Sequence, residues 1–576
     1  MQLLYIWIKN YKCFVNSNLN FCESPRYEFI EESNELKLIK KEEKINLFPL
    51  KINNFQDETC INNISVIVGS NGAGKTSICQ FLYDLYFYHY KIPQYIIIYK
   101  IDEQKYITTD YDLDNSKLEK MDLKQEPLKN CPFNMVFYSP IYSHDHHFGT
   151  LSDGTTLFKD VSTTFTINND IEKYKNERTG IEYTDKITEI EAHDTLDYNR
   201  YASFLSYYFN NKPKIDLGIT LPKFVYFSSD RNAFELFDQE SNSNDIENVI
   251  LNKLFFNINK KDKKENFIDT IALAEYCSFC RTYLLGIKTG KAEEIQKTLQ
   301  SILRDYDYKR EDISVTNHII NIFKSFSDVF RNAYEWITFI DQLQKIEQKN
   351  FIKDYVIFDI TIKNEAQKWS FLNALYNRIS SIYNFGEFSF VARPSSGEIC
   401  ELQIYARLLE GISEVCGNNK NKNYILFLDE TEITLHPKLQ QHLIKNIINF
   451  LNDIYLNQGI KFHIIFATHS PIILSDVPKD NVIFLKKESG EFNTKVKELD
   501  LNRNTFAANI FELYKESFFI DNTTTGTFAK DLINTVLSSE DTEYKNYIIE
   551  NIGDGILKEL ITGESENDTN STSRKN

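Results

Sequence analysis

The stretch Gly69-Ser70-Asn71-Gly72-Ala73-Gly74-Lys75-Thr76 constrains this chain more than any other. It reads G-x-x-x-x-G-K-T and sits where one periodicity changes into another. Before it, Ile64-Ser65-Val66-Ile67-Val68 is a short apolar, β-branched run that predicts a buried strand. After it, Ser77-Ile78-Cys79-Gln80-Phe81-Leu82 carries apolar residues at helical spacing. A strand that enters a glycine loop and leaves as a helix builds an anion cradle. Glycines turn the backbone where a Cβ would clash, and they bring N–H groups toward a phosphate. The positive end of the helix adds to the attraction. Lys75 then reaches the β- and γ-phosphates, and Thr76 holds Mg²⁺ through its hydroxyl. The expectation is a triphosphate site built from Gly69 to Ser77.

A second half of such a site stands far along the chain. Tyr424-Ile425-Leu426-Phe427-Leu428 predicts a buried strand that ends in Asp429-Glu430. Asp429 at the strand end suits Mg²⁺, directly or through water, and Glu430 suits the orientation and polarisation of an attacking water. An acidic pair after a strand is common by itself. Here it is followed by Leu435-His436-Pro437, a helix from Pro437 to Tyr455 opened by its proline, and a strand from Phe462 to Ala467. That strand ends in Thr468-His469-Ser470-Pro471, so His469 is placed to donate to a γ-phosphate. Several roles converging on one site are what separate a catalytic arrangement from scattered polar residues.

Length and composition bound the rest. The 576 residues allow two to four domains. Hydrophobic content of 42 % and charged content of 26 % are those of a globular protein. The net charge of −17 argues against a surface that binds nucleic acid throughout, but not against a local basic patch. Nine cysteines without a framework fit a reducing cytoplasm. No apolar run approaches the ~20 residues of a membrane-spanning helix, and Met1 to Lys9 reads as a strand rather than a signal core.

Along the chain, Leu3 to Ile8 and Phe14 to Phe21 read as strands flanking Asn10-Tyr11-Lys12-Cys13. Glu31 to Asn46 reads as a polar stretch, and the helix after the glycine loop is expected to end near Tyr90, before Pro93. Residues 95 to 240 read as strand-like and irregular, with polar segments at Asp110 to Glu126 and Thr166 to Glu191 and core strands at Phe133 to Ser139 and Phe224 to Ser229. His144-Asp145-His146-His147 has a metal-like composition, but close neighbours on a loop rarely converge on one ion. Residues 241 to 350 show helical periodicity without strands and read as a helical insertion. Cys277 and Cys280 lie within it and read as packed core cysteines, since no long heptad arm surrounds them. Strand–helix alternation returns from 351 to 500, with a helix over 399 to 415. Asn504 to Tyr514, Thr527 to Leu537 and Tyr544 to Ile561 read as helices of a C-terminal region spanning 501 to 562. Residues 563 to 576 have the composition of a disordered tail.

Arg393-Pro394-Ser395-Ser396-Gly397-Glu398 completes a pattern. The glycine loop, Ser-Ser-Gly-Glu, Asp-Glu and Thr-His-Ser-Pro, in that order, resemble the ABC-class ATPases of the SMC, RecF and OLD-like group. The resemblance implies an α/β fold: an ABC-type (RecA-like) P-loop ATPase head with a helical insertion and a helical C-terminal tail. Residues 1 to 240 would form its first lobe and 351 to 500 the lobe carrying signature, acidic pair and histidine switch. It further implies a homodimer or higher homo-oligomer with ATP and Mg²⁺ held between subunits. Each ATP would lie between the Lys75 loop of one subunit and Ser395, Ser396, Gly397 and Glu398 of the other. His436 takes the place of the D-loop aspartate, and Leu-His-Pro there is typical of the OLD-like and RecF-like subgroup. The chain departs from the general pattern at Pro394 and Thr431, which bears on turnover rate. Asn10 to Phe14 resembles this group's Asn-Phe-Arg-Ser-Phe turn, which places Lys12 near the nucleotide or DNA. The glutamine that touches the metal in this class has no assignable position.

The tail, from Asn509-Ile510-Phe511-Glu512-Leu513 to Gly526-Thr527-Phe528-Ala529, looks like the ending of phage-defence ATPases, most of all the Septu-type PtuA subunits also found with some retrons. That resemblance implies a cytoplasmic ATPase that restrains a partner nuclease, often of the HNH type. The carboxylate set of a Toprim nuclease is not found after His469, so the nuclease is expected on a separate chain. The other reading is a DNA-repair or chromosome-maintenance ATPase like RecF or the SMC-like repair ATPases, with DNA bound directly. The lack of long coiled-coil arms weighs against an SMC form.

Overall fold

The computed structural model describes residues 1–40 except 23, 59–87, 94–131, 134–143, 148–149, 151–152, 157–177, 224–229, 315–325, 346–352, 355–359, 386–390, 395–418, 422–487, 492–497, 504–517, 527–537 and 542–553, with isolated helical residues elsewhere. The fold is α/β, built on one large mixed sheet. Its strands are, in chain order, β1 (Gln2–Tyr11), β2 (Phe14–Asn20), β3 (Arg26–Ile30), β4 (Glu35–Lys40), β5 (Ile61–Gly69), β6 (Tyr95–Ile101), β7 (Gln104–Thr109), β8 (Leu123–Gln125), β9 (Asn134–Tyr138), β10 (Leu151–Ser152) and β11 (Leu157–Asp160). Then come β12 (Phe224–Ser229), β13 (Phe351–Ile352), β14 (Tyr355–Asp359), β15 (Gly386–Phe390), β16 (Asn423–Asp429), β17 (Lys461–Thr468), β18 (Val482–Lys487) and β19 (Thr494–Lys497).

Thirteen of these pair in the order β10-β11-β9-β16-β17-β5-β18-β19-β2-β1-β6-β7-β8. From β11 to β18 the neighbours are parallel. Their composition explains this: Tyr424 to Leu428, and Phe462 to Ala467 apart from the buried His463, are apolar runs buried on both faces, as parallel strands require. Beyond β18 the sheet turns mainly antiparallel, through the β1–β2 and β6–β7 hairpins. The core below the glycine loop packs Ile78, Phe81 and Leu82 of the helix Lys75–Phe87 on Ile67, Phe137, Phe427 and Ile465 of the sheet. The strands of the first and second sequence lobes therefore interleave in one sheet: β5 lies between β17 and β18, which come from the C-terminal half of the chain.

Several local expectations are corrected. Glu31 to Lys40, read as polar, forms a turn and strand β4, paired with β3 through alternation of Leu36 and Leu38 with charged neighbours. Thr163–Glu177 is a helix, started by Ser162, whose hydroxyl accepts from the Phe165 N–H at 3.3 Å. Residues 504 to 509 are not helical; Ala507 has φ +56° there, and the helix runs Ile510–Ser517. The expected helix from Tyr544 is seen over Thr542–Glu550, and Thr527–Leu537 is as read. A separate four-stranded sheet orders β13-β14-β12-β15. Of the helical insertion, Val315–Ser325 is a described helix, while Cys277 and Cys280 lie outside the described residues, as do His144 to His147. The chain divides into two compact units, Met1–Ala508 and Asn509–Asn576. Among the described residues no helix is long and apolar enough to cross a membrane.

Candidate nucleotide site

β5 ends on Gly69, and the loop that follows closes with the Ala73 N–H donating to the Ser70 carbonyl at 3.1 Å. Gly72 and Gly74 sit at φ +73° and +93°, which a side chain rarely tolerates. Gly74 is also confined: a Cβ there would meet Cys13 Sγ at 2.4 Å and the Phe14 ring at 3.1 Å. Ala73 turns its carbonyl inward, where it accepts from Thr494 Oγ1 at 2.9 Å. Asn71 and Gly72 are exposed at the loop tip, and Ser70 and Ser77 are half-buried. The Asn10–Phe14 turn lies on the same helix, with Tyr11 donating to Asp84 at 2.6 Å and Lys12 bonding Gln80.

β16 and β17 bring the second half of the site to the loop. Thr76 Oγ1 donates to Asp429 Oδ2 at 2.7 Å. The other oxygen, Asp429 Oδ1, is buried and has no hydrogen-bond partner among the described residues. Burial, with Glu430 adjacent, pushes the Asp429 carboxyl up to about 7. A carboxylate so placed fits a hard cation. It is desolvated, it touches the hydroxyl that a metal would share, and one oxygen is left over. Among the described residues no three His, Cys, Asp or Glu side chains converge on a metal by themselves. Mg²⁺ in turn takes one or two carboxylates together with phosphate oxygens and water.

Glu430 adopts φ +48°, uncommon away from glycine, with its N–H donating to the Ala467 carbonyl at 2.8 Å. The turn aims its carboxylate back over the loop, 3.7 Å from Lys75 Nζ and 3.4 Å from His469 Nε2. His469 first, and Lys75 with it, outweigh partial burial and hold the Glu430 carboxyl below the ordinary range. Lys75 is 5 % exposed and also reaches the Gly69 carbonyl at 3.4 Å and His469 Nε2. Burial lowers its pKa against the pull of Glu430 and Asp429. Lysine, acid and histidine thus stand within reach of one another beside the loop.

The sequence reading missed what holds His469. Glu432, two residues after the acidic pair, is buried and accepts from Thr468 Oγ1 and from the His469 N–H at 3.1 Å. Gln440 links the same turn to Ser470 at 2.7 Å. A carboxylate set among Thr431, Ile433 and Leu435 carries the only hint in the sequence. His436 is exposed and caps the helix Pro437–Tyr455, its Nδ1 accepting from the Lys438 N–H at 3.2 Å. β9, the strand next to β16, is followed by Ser139-Pro140, with no glutamine at that point.

Ser395 to Glu398 opens the helix Ser396–Asn418. Ser395 Oγ and N–H both bond Glu398 Oε2, at 2.8 and 2.7 Å, and the Glu398 N–H returns to Ser395 Oγ. This is a reciprocal helix cap. Ser396 stays exposed, and Gly397 faces the Thr434 carbonyl of the turn after Glu430. Further along, the helix is held by buried ions. Arg407, fully buried, bonds Asp197 Oδ2 and Thr163 Oγ1, both at 2.8 Å. Arg200 bonds Asp197 and Asp170 at 2.9 and 2.8 Å and Glu410 at 2.7 Å. Burial alone would raise the Asp197 carboxyl; Arg407 and Arg200 overcome it and hold it well below the ordinary range.

The sequence matches no protein-family model. A stretch of 181 residues is 29 % identical to Protein ea59 of Escherichia phage lambda and covers 31 % of this chain and 31 % of that protein. The match therefore spans less than a third of the length of this curated relative.

Proposed function

We propose that the chain is an ABC-class, OLD-like ATPase that dimerises around ATP·Mg²⁺ and regulates a partner nuclease, of the HNH type, in bacterial anti-phage defence. The observation that carries the ATPase reading is the Thr76–Asp429 bond at 2.7 Å, with one buried Asp429 oxygen that has no hydrogen-bond partner among the described residues. Thr76 and Asp429 would hold the cation, which supplies charge neutralisation at the phosphate oxygens. Loop N–H groups bind the phosphates, and Lys75 exchanges Glu430 for a phosphate oxygen. Released from Lys75, Glu430 remains ionised at neutral pH and accepts a hydrogen bond from a water, orienting it for attack. His469, fixed through its own N–H by Glu432, donates on the far side.

The dimer is supported by the exposed start of a 23-residue helix. Ser395 is engaged in its own cap, so Ser396, Gly397 and the helix dipole are what a second subunit's γ-phosphate would meet. The defence role rests on the resemblance of the tail and on nothing in the site. Lys75→Ala is expected to abolish nucleotide binding. Glu430→Gln is expected to retain ATP and accumulate as a dimer in size-exclusion chromatography. Turnover by Glu430→Gln at the normal rate would show that the water is oriented by another group. DNA cleavage by the purified chain alone would refute the division of labour with a nuclease.

A further inference from the structure

The β18–β19 hairpin lies along the outside of the glycine loop. A Cβ on Gly69 would meet the Leu485 carbonyl of β18 at 2.5 Å, and one on Gly72 would stand 3.9 Å from Lys487 Nζ. Opposite Lys487 in the hairpin is Thr494. It is 3 % exposed, and its hydroxyl donates to the Ala73 carbonyl at 2.9 Å, 421 residues back along the chain. The threonine is itself fixed. β19 meets β2 in register at a single position, Phe14 opposite Thr494, where the Thr494 N–H donates to the Cys13 carbonyl at 2.7 Å. Cys13 Sγ also faces the Ala73 carbonyl, at 3.8 Å. A thiol is a weak donor, so the hydroxyl sets the direction of that carbonyl.

A trans peptide carries its C=O and its N–H on opposite edges. With the Ala73 carbonyl turned to Thr494, the N–H of the same peptide, that of Gly74, is turned to the other side of the loop. The Ala73 N–H is spent on the Ser70 carbonyl at 3.1 Å, whereas the Gly74 N–H has no hydrogen-bond partner among the described residues. Flipping this peptide needs a change of φ at Gly74, which sits at +93° and has no side chain to resist the rotation. The held carbonyl resists it instead. We propose that Thr494 is a positioning residue of the nucleotide site, whose hydroxyl aims the Gly74 N–H at a phosphate oxygen. The donor is then oriented before the ligand arrives, and binding does not have to order it. The proposal rests on the ATPase reading for the identity of that ligand.

The test compares the full chain with Thr494→Val, which keeps the shape and removes the hydroxyl, and with Thr494→Ser, which restores it. The probe is Mg²⁺·ADP in calorimetric titration, because loop N–H groups of this kind grip the α- and β-phosphates. Thr494→Val should weaken binding about tenfold, the size of one misaligned hydrogen bond to a charged oxygen, and Thr494→Ser should stay within about twofold of the parent. Thr494→Cys, a weak donor in the same place, should fall between them, and it carries the test if the valine chain does not fold. The Tm of each nucleotide-free chain is read alongside. A valine variant that melts earlier yet binds ADP as the parent does would make the threonine merely structural and overturn the proposal. So would a serine variant as weak as the valine one. Pyrophosphate separates this failure from that of the ATPase reading. If the parent binds pyrophosphate but not ADP, the ATPase reading falls, and the same tenfold loss is expected with pyrophosphate. If the parent binds neither, both fall.

Discussion

Asp429 should make the metal-free protein less stable as pH rises. Its carboxyl ionises near 3.8 in an unfolded chain and at about 7 in the folded one. Between those values the native state holds a proton that the unfolded state has lost, so the slope of stability against pH is negative, at most ~1.4 kcal/mol per unit. The contribution is full below the unfolded value and vanishes above about 7. From pH 6 to 8.5 the loss comes to about 1.4 kcal/mol, and this window avoids the isoelectric point near 5.2. Asp429→Asn keeps the shape and the Thr76 bond but cannot ionise. Asp160, pushed up to about 7, adds a slope of the same sign to both proteins and cancels in the difference, whereas Glu432, also raised by burial, interacts with Asp429 and is held constant only by making the comparison again in a Glu432→Gln background. Urea unfolding in EDTA can be followed through Trp7, buried in the large unit, after Trp336 and Trp369 are replaced by Phe. The variant should gain about 1.4 kcal/mol on the parent from pH 6 to 8.5. Added Mg²⁺·ATP at pH 8.5 should stabilise the parent and not the variant. Parallel pH curves for the two would refute the assignment of Asp429 as a desolvated acid awaiting a cation.

Gly74→Ala should cost about 1–3 kcal/mol in thermal unfolding of the nucleotide-free chain, because the left-handed backbone and the Cys13 contact act together. Cys13→Ala in the same chain should recover only the steric part. Asp197→Ala should cost about 3–5 kcal/mol, since it leaves Arg407 buried with its charge uncompensated. Changing Asp197 and Arg407 together to apolar residues should be far milder; equal damage would mean that the ions matter for something other than charge balance.

Much of the site was legible because its residues stand at strand ends. Asp429 closes one apolar strand with Glu430 next to it, His469 follows another, and Lys75 and Thr76 open the helix that the glycine loop joins to a third; a parallel sheet carries such ends to one edge. The structure brings all five together. Glu432 and Thr494 were not legible: each acts through a neighbour brought close only by folding, 36 residues away for Thr468 and 421 for Ala73. Ser-x-x-Glu carries two meanings, helix cap and trans phosphate contact, and the isolated chain displays the first. β4 was overlooked because charged residues alternate with its apolar ones, which lowers its mean hydropathy without disturbing a two-residue period. The order of strands in the sheet was beyond the sequence, since it depends on pairings such as Ile64 with Ile464 that no local pattern encodes.

That interleaving has a consequence for biogenesis. β5 leaves the ribosome with the N-terminal eighth of the chain, yet both strands that flank it are made some 400 residues later. Until residues 461 to 487 have emerged, the apolar strand before the loop has neither neighbour, His469 has not been made, and Asp429 and Glu430 lack the strand that joins theirs to β5. A product that stops short of residue 461 is therefore expected not to bring Lys75, Glu430 and His469 together, so the candidate site forms only after most of the chain has been made.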